Sequence, residues 1–183
     1  MTATMQATVV DRVARRLFAA AILRNSIRGE VVEEIVAMAL EPDWRHCGGD
    51  WAAFDLIHSA TGLRMQVKQS AARQSWHSDA SPPPRPRFSI ASKTGRWEGS
   101  AWIAEPGRNA DLFVFAFHPV TDTTADHRDP AQWRFHVVAE TALPAQASIS
   151  LATIARLSAP STFDGLAPAV ADAVQHHARR PPP

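Results

Sequence analysis

The sequence predicts an α/β chain with a central mixed β-sheet flanked by helices. Three observations predict it. Val31, Val32, Ile35, Val36, Ala39 and Leu40 recur at helical spacing and give one apolar face. Two segments of strand character, 51–58 and 63–69, meet at Ser59-Ala60-Thr61-Gly62, a run of turn-forming residues. Leu112 to Phe117 is apolar throughout, as expected for a central strand covered on both faces.

Taken in order, residues 8–24 read as an amphipathic helix. Val9, Val10, Val13, Leu17, Ala20 and Ala21 form its stripe, and Arg12, Arg15 and Arg16 lie off it. Asn25-Ser26 interrupts the pattern, with Ser26 a candidate cap for a second helix over 27–40 that Pro42 ends. The two strands follow, and Ser70–Trp76 reads as a short helix or irregular turn. Ser81–Pro86, Ser-Pro-Pro-Pro-Arg-Pro, excludes regular structure and predicts an exposed stiff loop. Phe88–Ala91 has short-strand character. Gly95–Arg108 is loop-like, and Trp76, Trp97 and Trp102 are candidates to stack bases, with the anchoring of long loops to the core the preferred role. Trp133–Ala139 is the expected neighbour of the 112–117 strand. Ile154–Leu157 and Leu166–Val174 read as helical, and residues 179–183 as a disordered tail. Helices on the faces of a mixed sheet fit this order, in one domain over residues 1–178.

The bulk composition narrows the function classes. In 183 residues, 45% hydrophobic and 20% charged content describes a globular chain, and a net charge of +1 neither demands nor excludes nucleic acid. Cys47 is the single cysteine, which rules out an intrachain disulfide and fits a reducing compartment. No secretory signal is legible, and no apolar run approaches the roughly 20 residues that span a bilayer, so the cytoplasm is the expected location. His46-Cys47 and Asp126-His127-Arg128-Asp129 lack zinc-ligand spacing. No Gly-x-Ser-x-Gly and no Gly-rich phosphate loop is present.

The chemistry concentrates around Lys68. Lys68 and Lys93 are the only lysines in a chain that otherwise uses arginine. On a strand, residues i and i+2 face one side, so Gln66 and Lys68 project together. The hairpin brings Asp55 beside them. An acid, an amide oxygen and an ammonium on one patch make a candidate metal and phosphate site. Phosphodiester hydrolysis needs a hard divalent cation, for which Asp55 is the principal candidate ligand, with the Gln66 side-chain oxygen and the Val67 carbonyl as further donors. Lys68 would orient the attacking water or stabilise the phosphorus as charge builds. Glu33 is the chosen second carboxylate, with Glu30 and Glu34 as competitors on the same helix.

Asp55, Gln66-Val67-Lys68 and the preceding helix with Gly29-Glu30-Val31-Val32-Glu33 together resemble the PD-(D/E)xK, or restriction-endonuclease-like, nuclease superfamily in its Gln-x-Lys variant. The resemblance covers about residues 28–70 at motif level and the later strands at topology level. A stretch from Val67-Lys68-Gln69-Ser70 to Gln74-Ser75-Trp76 is also similar to a group of uncharacterised bacterial proteins, a likeness that implies fold and not substrate. The superfamily likeness implies a restriction-endonuclease-like core and a nuclease using Mg²⁺ or Mn²⁺ at Asp55, Gln66, Glu33 and Val67. Catalysis falls to Asp55, Gln66, Lys68 and Glu33, and DNA is the partner. A homodimer is a candidate assembly, because double-strand cutting often uses two sites.

Two departures from the pattern matter: Phe54 stands where the motif has proline, and Gln66 removes one charge. Gln66 motivates the alternative of a catalytically weak or inactive nuclease-fold module that binds DNA or a protein partner. An RNA-directed nuclease or toxin is a third reading. Ser70 and Gln74 are candidate phosphate contacts, with cap or turn roles preferred. Arg12, Arg15, Arg16, Arg24 and Arg28 are a candidate basic stripe, and Arg85 and Arg87 flank the proline loop.

Overall fold

The computed structural model describes residues 3–47, 52–76 and 85–179. Its centre is a five-stranded mixed sheet flanked by helices. Helices α1 (Ala3–Phe18) and α2 (Asn25–Leu40) lead into β1 (Trp44–His46), β2 (Leu56–His58) and β3 (Arg64–Ala71). Then come β4 (Arg87–Ser89), the hairpin β5 (Arg96–Glu98) and β6 (Ala101–Ile103), β7 (Leu112–His118) and β8 (Arg134–Ala139). The chain closes with β9 (Ser148–Ser150), α3 (Leu151–Leu157) and α4 (Phe163–Ala178).

The main sheet has the order β1-β2-β3-β7-β8, antiparallel except for the parallel β3–β7 pair. The β2–β3 turn is the expected one, with Gly62 at φ 72°, a left-handed conformation glycine adopts without strain. Strand β7 is buried on both faces, as its continuous apolar run predicts. Leu112, Val114 and Ala116 pack with Met65 and Val67 of β3 beneath α2 and α4. Phe113 and Phe115 face a second core of Phe88, Ile90, Val138, Ile149 and Ile154, closed by the β4–β9 pair and α3.

Several boundaries depart from the sequence reading, each because tertiary hydrogen bonds override local preference. The first helix spans Ala3–Phe18 rather than 8–24. Past Phe18 the chain is taken over by the 126–128 segment. Arg128 Nη1 donates to the Phe18 and Ala19 carbonyls at 3.0 Å each, His127 N to the Ala21 carbonyl at 2.9 Å, and Leu23 N to His127 Nδ1 at 3.1 Å. Ser26 lies inside α2, whose cap position is Arg24, without a side-chain cap. Ser70 and Ala71 continue β3, and a turn rather than a helix follows. The 95–108 segment is the β5–β6 hairpin flanked by a Lys93–Gly107 bridge, not a loop. Of the proline loop, residues 81–84 lie outside the described residues, as do 180–183 of the tail. Among the described residues, no helix is long and apolar enough to cross a membrane.

Candidate active site

The site forms where β2 stops accompanying β3. Their ladder holds only Leu56 against Met65 and Ile57 against Arg64, so among the described residues no strand pairs with the β2-facing edge of β3 beyond Met65. Asp55 sits at that opening. It precedes β2 in a bend, one residue short of the strand on which the sequence places it, because its side chain takes the place of the next ladder partner. Its backbone N donates to the Met65 carbonyl at 2.9 Å, and Cys47 N donates to its carbonyl at 3.0 Å. Its carboxylate Oδ2 then accepts Val67 N–H at 2.6 Å and the Gln66 side-chain amide. In a pleated strand the N–H and C=O of one residue share an edge, so the Val67 carbonyl lies on the same open edge as Asp55.

Gln66 and Lys68 register opposite Phe113 and Phe115, on the face of the second core. They therefore project together, from a wall of phenylalanines. Glu33 enters from α2. Its carboxyl responds to Asp55 and Lys68, whereas Glu34 points to His46 at 2.9 Å and Glu30 is exposed. Of the three candidate carboxylates, the fold thus brings Glu33 to Asp55 and Lys68. The helical turn separates it from Glu34 although the two are adjacent in sequence.

Burial dominates the electrostatics. It raises the Asp55 carboxyl above the ordinary value, against the hydrogen bond from Val67, the charge of Lys68, the Gln66 amide and the charge of Lys93. Glu33 is raised to about 7 by burial first, then by Asp55 and Glu30, with Lys68 opposing. Lys68 is lowered by burial and by Lys93, and raised by Asp55 and Glu33. Two carboxyls that resist ionisation beside a partly desolvated ammonium are poised to exchange protons for a cation or to meet an anion.

This donor set fits a hard divalent cation: two carboxylates, an amide side chain and a backbone carbonyl supply only oxygen ligands. Among the described residues no group of three or more His, Cys, Asp or Glu side chains is arranged to hold a metal, so an amide and a carbonyl would have to complete the shell. As placed, Gln66 turns its amide N–H towards Asp55. Offering its oxygen to the same position requires the amide to rotate by half a turn.

The fold gives other sequence candidates different places. Gln74 is buried and faces α2. It accepts from Arg28 Nη1 at 2.8 Å and donates to the Ala71 carbonyl at 2.6 Å, the turn role preferred for it. Arg28 is no surface cation, being 1% exposed and bound to Gln69, Gln74 and Asn25. Burial pulls it down to about 10. Trp76, Trp97 and Trp102 are exposed and stand outside both cores, against the expected anchoring there. Trp97 and Trp102 meet edge to face at 5.5 Å across the β5–β6 hairpin. The residue that sequence reasoning leaves out is Lys93. It lies 38 residues from Asp55 in sequence, yet its Nζ donates to the Ala53 carbonyl at 3.3 Å and its charge acts on both Asp55 and Lys68. Its status as the second of two lysines was the available signal.

No family model matches the chain, and no curated protein matches it. Among solved structures, the chain is similar to the bacterial homing endonuclease I-Ssp6803I, at 20% identity and a TM-score of 0.39, over 69% of this chain and 77% of that one. No residue role is carried across from that structure.

Proposed function

We propose that the chain is a metal-dependent nuclease that hydrolyses phosphodiester bonds in DNA, a Gln-x-Lys member of the PD-(D/E)xK superfamily. The observation that supports this reading best is the convergence of Asp55, Glu33, Gln66 and Lys68, from a bend, a helix and a strand, on one open sheet edge. A structural role for these residues gives no reason to keep two carboxyls partly desolvated beside a half-buried ammonium, an arrangement that costs stability.

Asp55 and Glu33, with the Val67 carbonyl and Gln66, would hold Mg²⁺ or Mn²⁺. Such an ion supplies Lewis acidity and lowers the pKa of water. Asp55 is kept in place by Val67 N–H, which orients its free oxygen without a flexible partner. Lys68 directs its ammonium to the phosphate, where negative charge grows as water oxygen bonds to phosphorus and the ester P–O bond breaks. The leaving oxygen takes up a proton, and the water gives one up. The phenylalanine wall keeps Lys68 partly desolvated, which strengthens its attraction for that charge.

The test is hydrolysis of duplex and single-stranded DNA oligonucleotides, with RNA as control, in Mg²⁺, Mn²⁺ or EDTA. Cleavage that needs the cation and drops by roughly 100-fold or more in a folded Lys68→Ala variant is the expected result. Full activity in that variant would remove this site from consideration.

One observation favours a second reading. The Gln66 amide N–H already satisfies Asp55, as suits a nuclease-fold module that binds DNA or a protein without cutting it. Calorimetry separates the two, because the nuclease takes up Mg²⁺ or Mn²⁺ at Asp55 and the binding module does not.

A further inference from the structure

The chain has two lysines against seventeen arginines, and the fold brings both lysines to Asp55. They differ in setting. Lys68 is deep, beside Phe115 of the second core. Lys93 is exposed, and among the described residues its side chain hydrogen-bonds the Ala53 carbonyl, two residues before Asp55. It has no carboxylate partner within ion-pair distance among the described residues. Its backbone is fixed by reciprocal hydrogen bonds with Gly107, at 2.7 and 2.9 Å, at the base of the β5–β6 hairpin. A long cationic side chain on a fixed backbone, reaching back across a site and left unpaired at its mouth, is placed for an anion that arrives from solvent.

The charge count points the same way. Asp55 alone does not balance two ammonium groups. If both carboxylates are ionised around a divalent cation, the two lysines remain as two uncompensated positive charges. A phosphodiester brings one negative charge in the ground state and gains a second as water adds. Lysine suits this use better than arginine because it is a compact point charge with rotatable donors, whereas a guanidinium fork is satisfied by planar bidentate partners.

We propose that Lys93 is the second phosphate-binding cation of this site, holding a non-bridging phosphate oxygen of the nucleic-acid backbone at the mouth while Lys68 acts from below. The inference rests on the nuclease reading and extends it, assigning a residue 25 positions beyond Lys68 to substrate binding.

The experiment compares wild type, Lys93→Ala and Lys93→Arg in Ca²⁺ without turnover. Anisotropy of a labelled mixed-sequence DNA oligonucleotide is read across a salt series, and cleavage is then followed in Mn²⁺. Loss of one phosphate contact lowers the slope of log Kd against log salt by about one and weakens binding about 10-fold at low salt. Cleavage falls with it, and Lys93→Arg restores the slope. A role limited to the Ala53 carbonyl would lower the melting temperature and leave the slope unchanged. An unchanged slope in Lys93→Ala, with wild-type cleavage intact, overturns the role of Lys93 and leaves the nuclease reading standing. A wild-type protein that neither binds nor cleaves the oligonucleotide overturns both.

Discussion

Glu33 shows what one helix position decides. Its neighbour Glu34 makes a surface pair with His46, worth little in water, while Glu33 turns into the site and is raised to about 7. A carboxyl raised in the fold contributes stability that is complete below its unfolded value near 4.5 and is lost as pH rises through 7. Glu33→Gln keeps the neutral shape at all pH values. The variant is therefore expected to match wild type at about pH 4 and to be more stable at about pH 8 by about 1 kcal/mol, a figure reduced for the solvent that reaches the site. Urea midpoints at the two pH values check this, and equal midpoints at pH 8 would show that Glu33 is not desolvated. Asp55, Gln66 and Lys68 were legible as a group because strand alternation fixes which side chains share a face. The choice among Glu30, Glu33 and Glu34 was not legible. Helical periodicity leaves adjacent residues about 100° apart, and only the packed position of α2 says which of them turns towards β3.

At the scale of elements, Arg28 ties α2 to β3 and to the turn after it. Its Nε donates to Gln69 Oε1 at 2.6 Å, Nη1 to Gln74 Oε1 at 2.8 Å and Nη2 to Asn25 Oδ1 at 2.8 Å. All three acceptors are neutral amides, so the charge is satisfied by dipoles and not by a counter-ion. Nearby His127, held to about 4 by burial and then by Arg28 and His118, stays neutral and avoids a second buried charge. Arg28→Ala is expected to cost about 3 kcal/mol, from lost packing and from the Gln69 and Gln74 amide oxygens left without their donor, while Asn25 Oδ1 keeps the Gln69 amide. Since α2 also carries Glu33, the same change should weaken divalent-cation binding at the proposed site. Chemical denaturation and Mn²⁺ titration read the two effects, and a loss below about 0.5 kcal/mol would mean that the layer repacks. In the sequence Arg28 belongs with a basic stripe, because a one-dimensional pattern does not show which helix face is sealed. The β5–β6 hairpin was missed for a related reason: its strands are three residues each, too short for an alternation signal, and are defined by pairing rather than by pattern.

For the whole molecule, two cores on opposite faces of one sheet hold the fold, and no described side chain of α1 belongs to either. Val9, Val10, Val13 and Phe18 of α1 are exposed, and Leu17 is half-buried. Removal of residues 1–16 is therefore expected to cost less than about 1 kcal/mol, since little apolar area returns to water. The urea midpoint of the truncated chain measures it, and a loss of several kcal/mol would show that α1 packs on the body in solution.

The sequence by itself determined the α/β class, α2, the β2–β3 hairpin, the doubly covered β7 and its partner β8, because each rests on a periodicity or on a turn residue carried within one segment. It also determined that Asp55, Gln66 and Lys68 would be grouped, since ten residues and a tight turn separate Asp55 from Gln66. The tertiary structure alone decided which glutamate joins them, that Arg28 is buried, that α1 stops at Phe18 and that Lys93 reaches Asp55. Those outcomes depend on contacts between residues far apart in the chain, whose free energies exceed the few tenths of a kcal/mol by which local preferences differ.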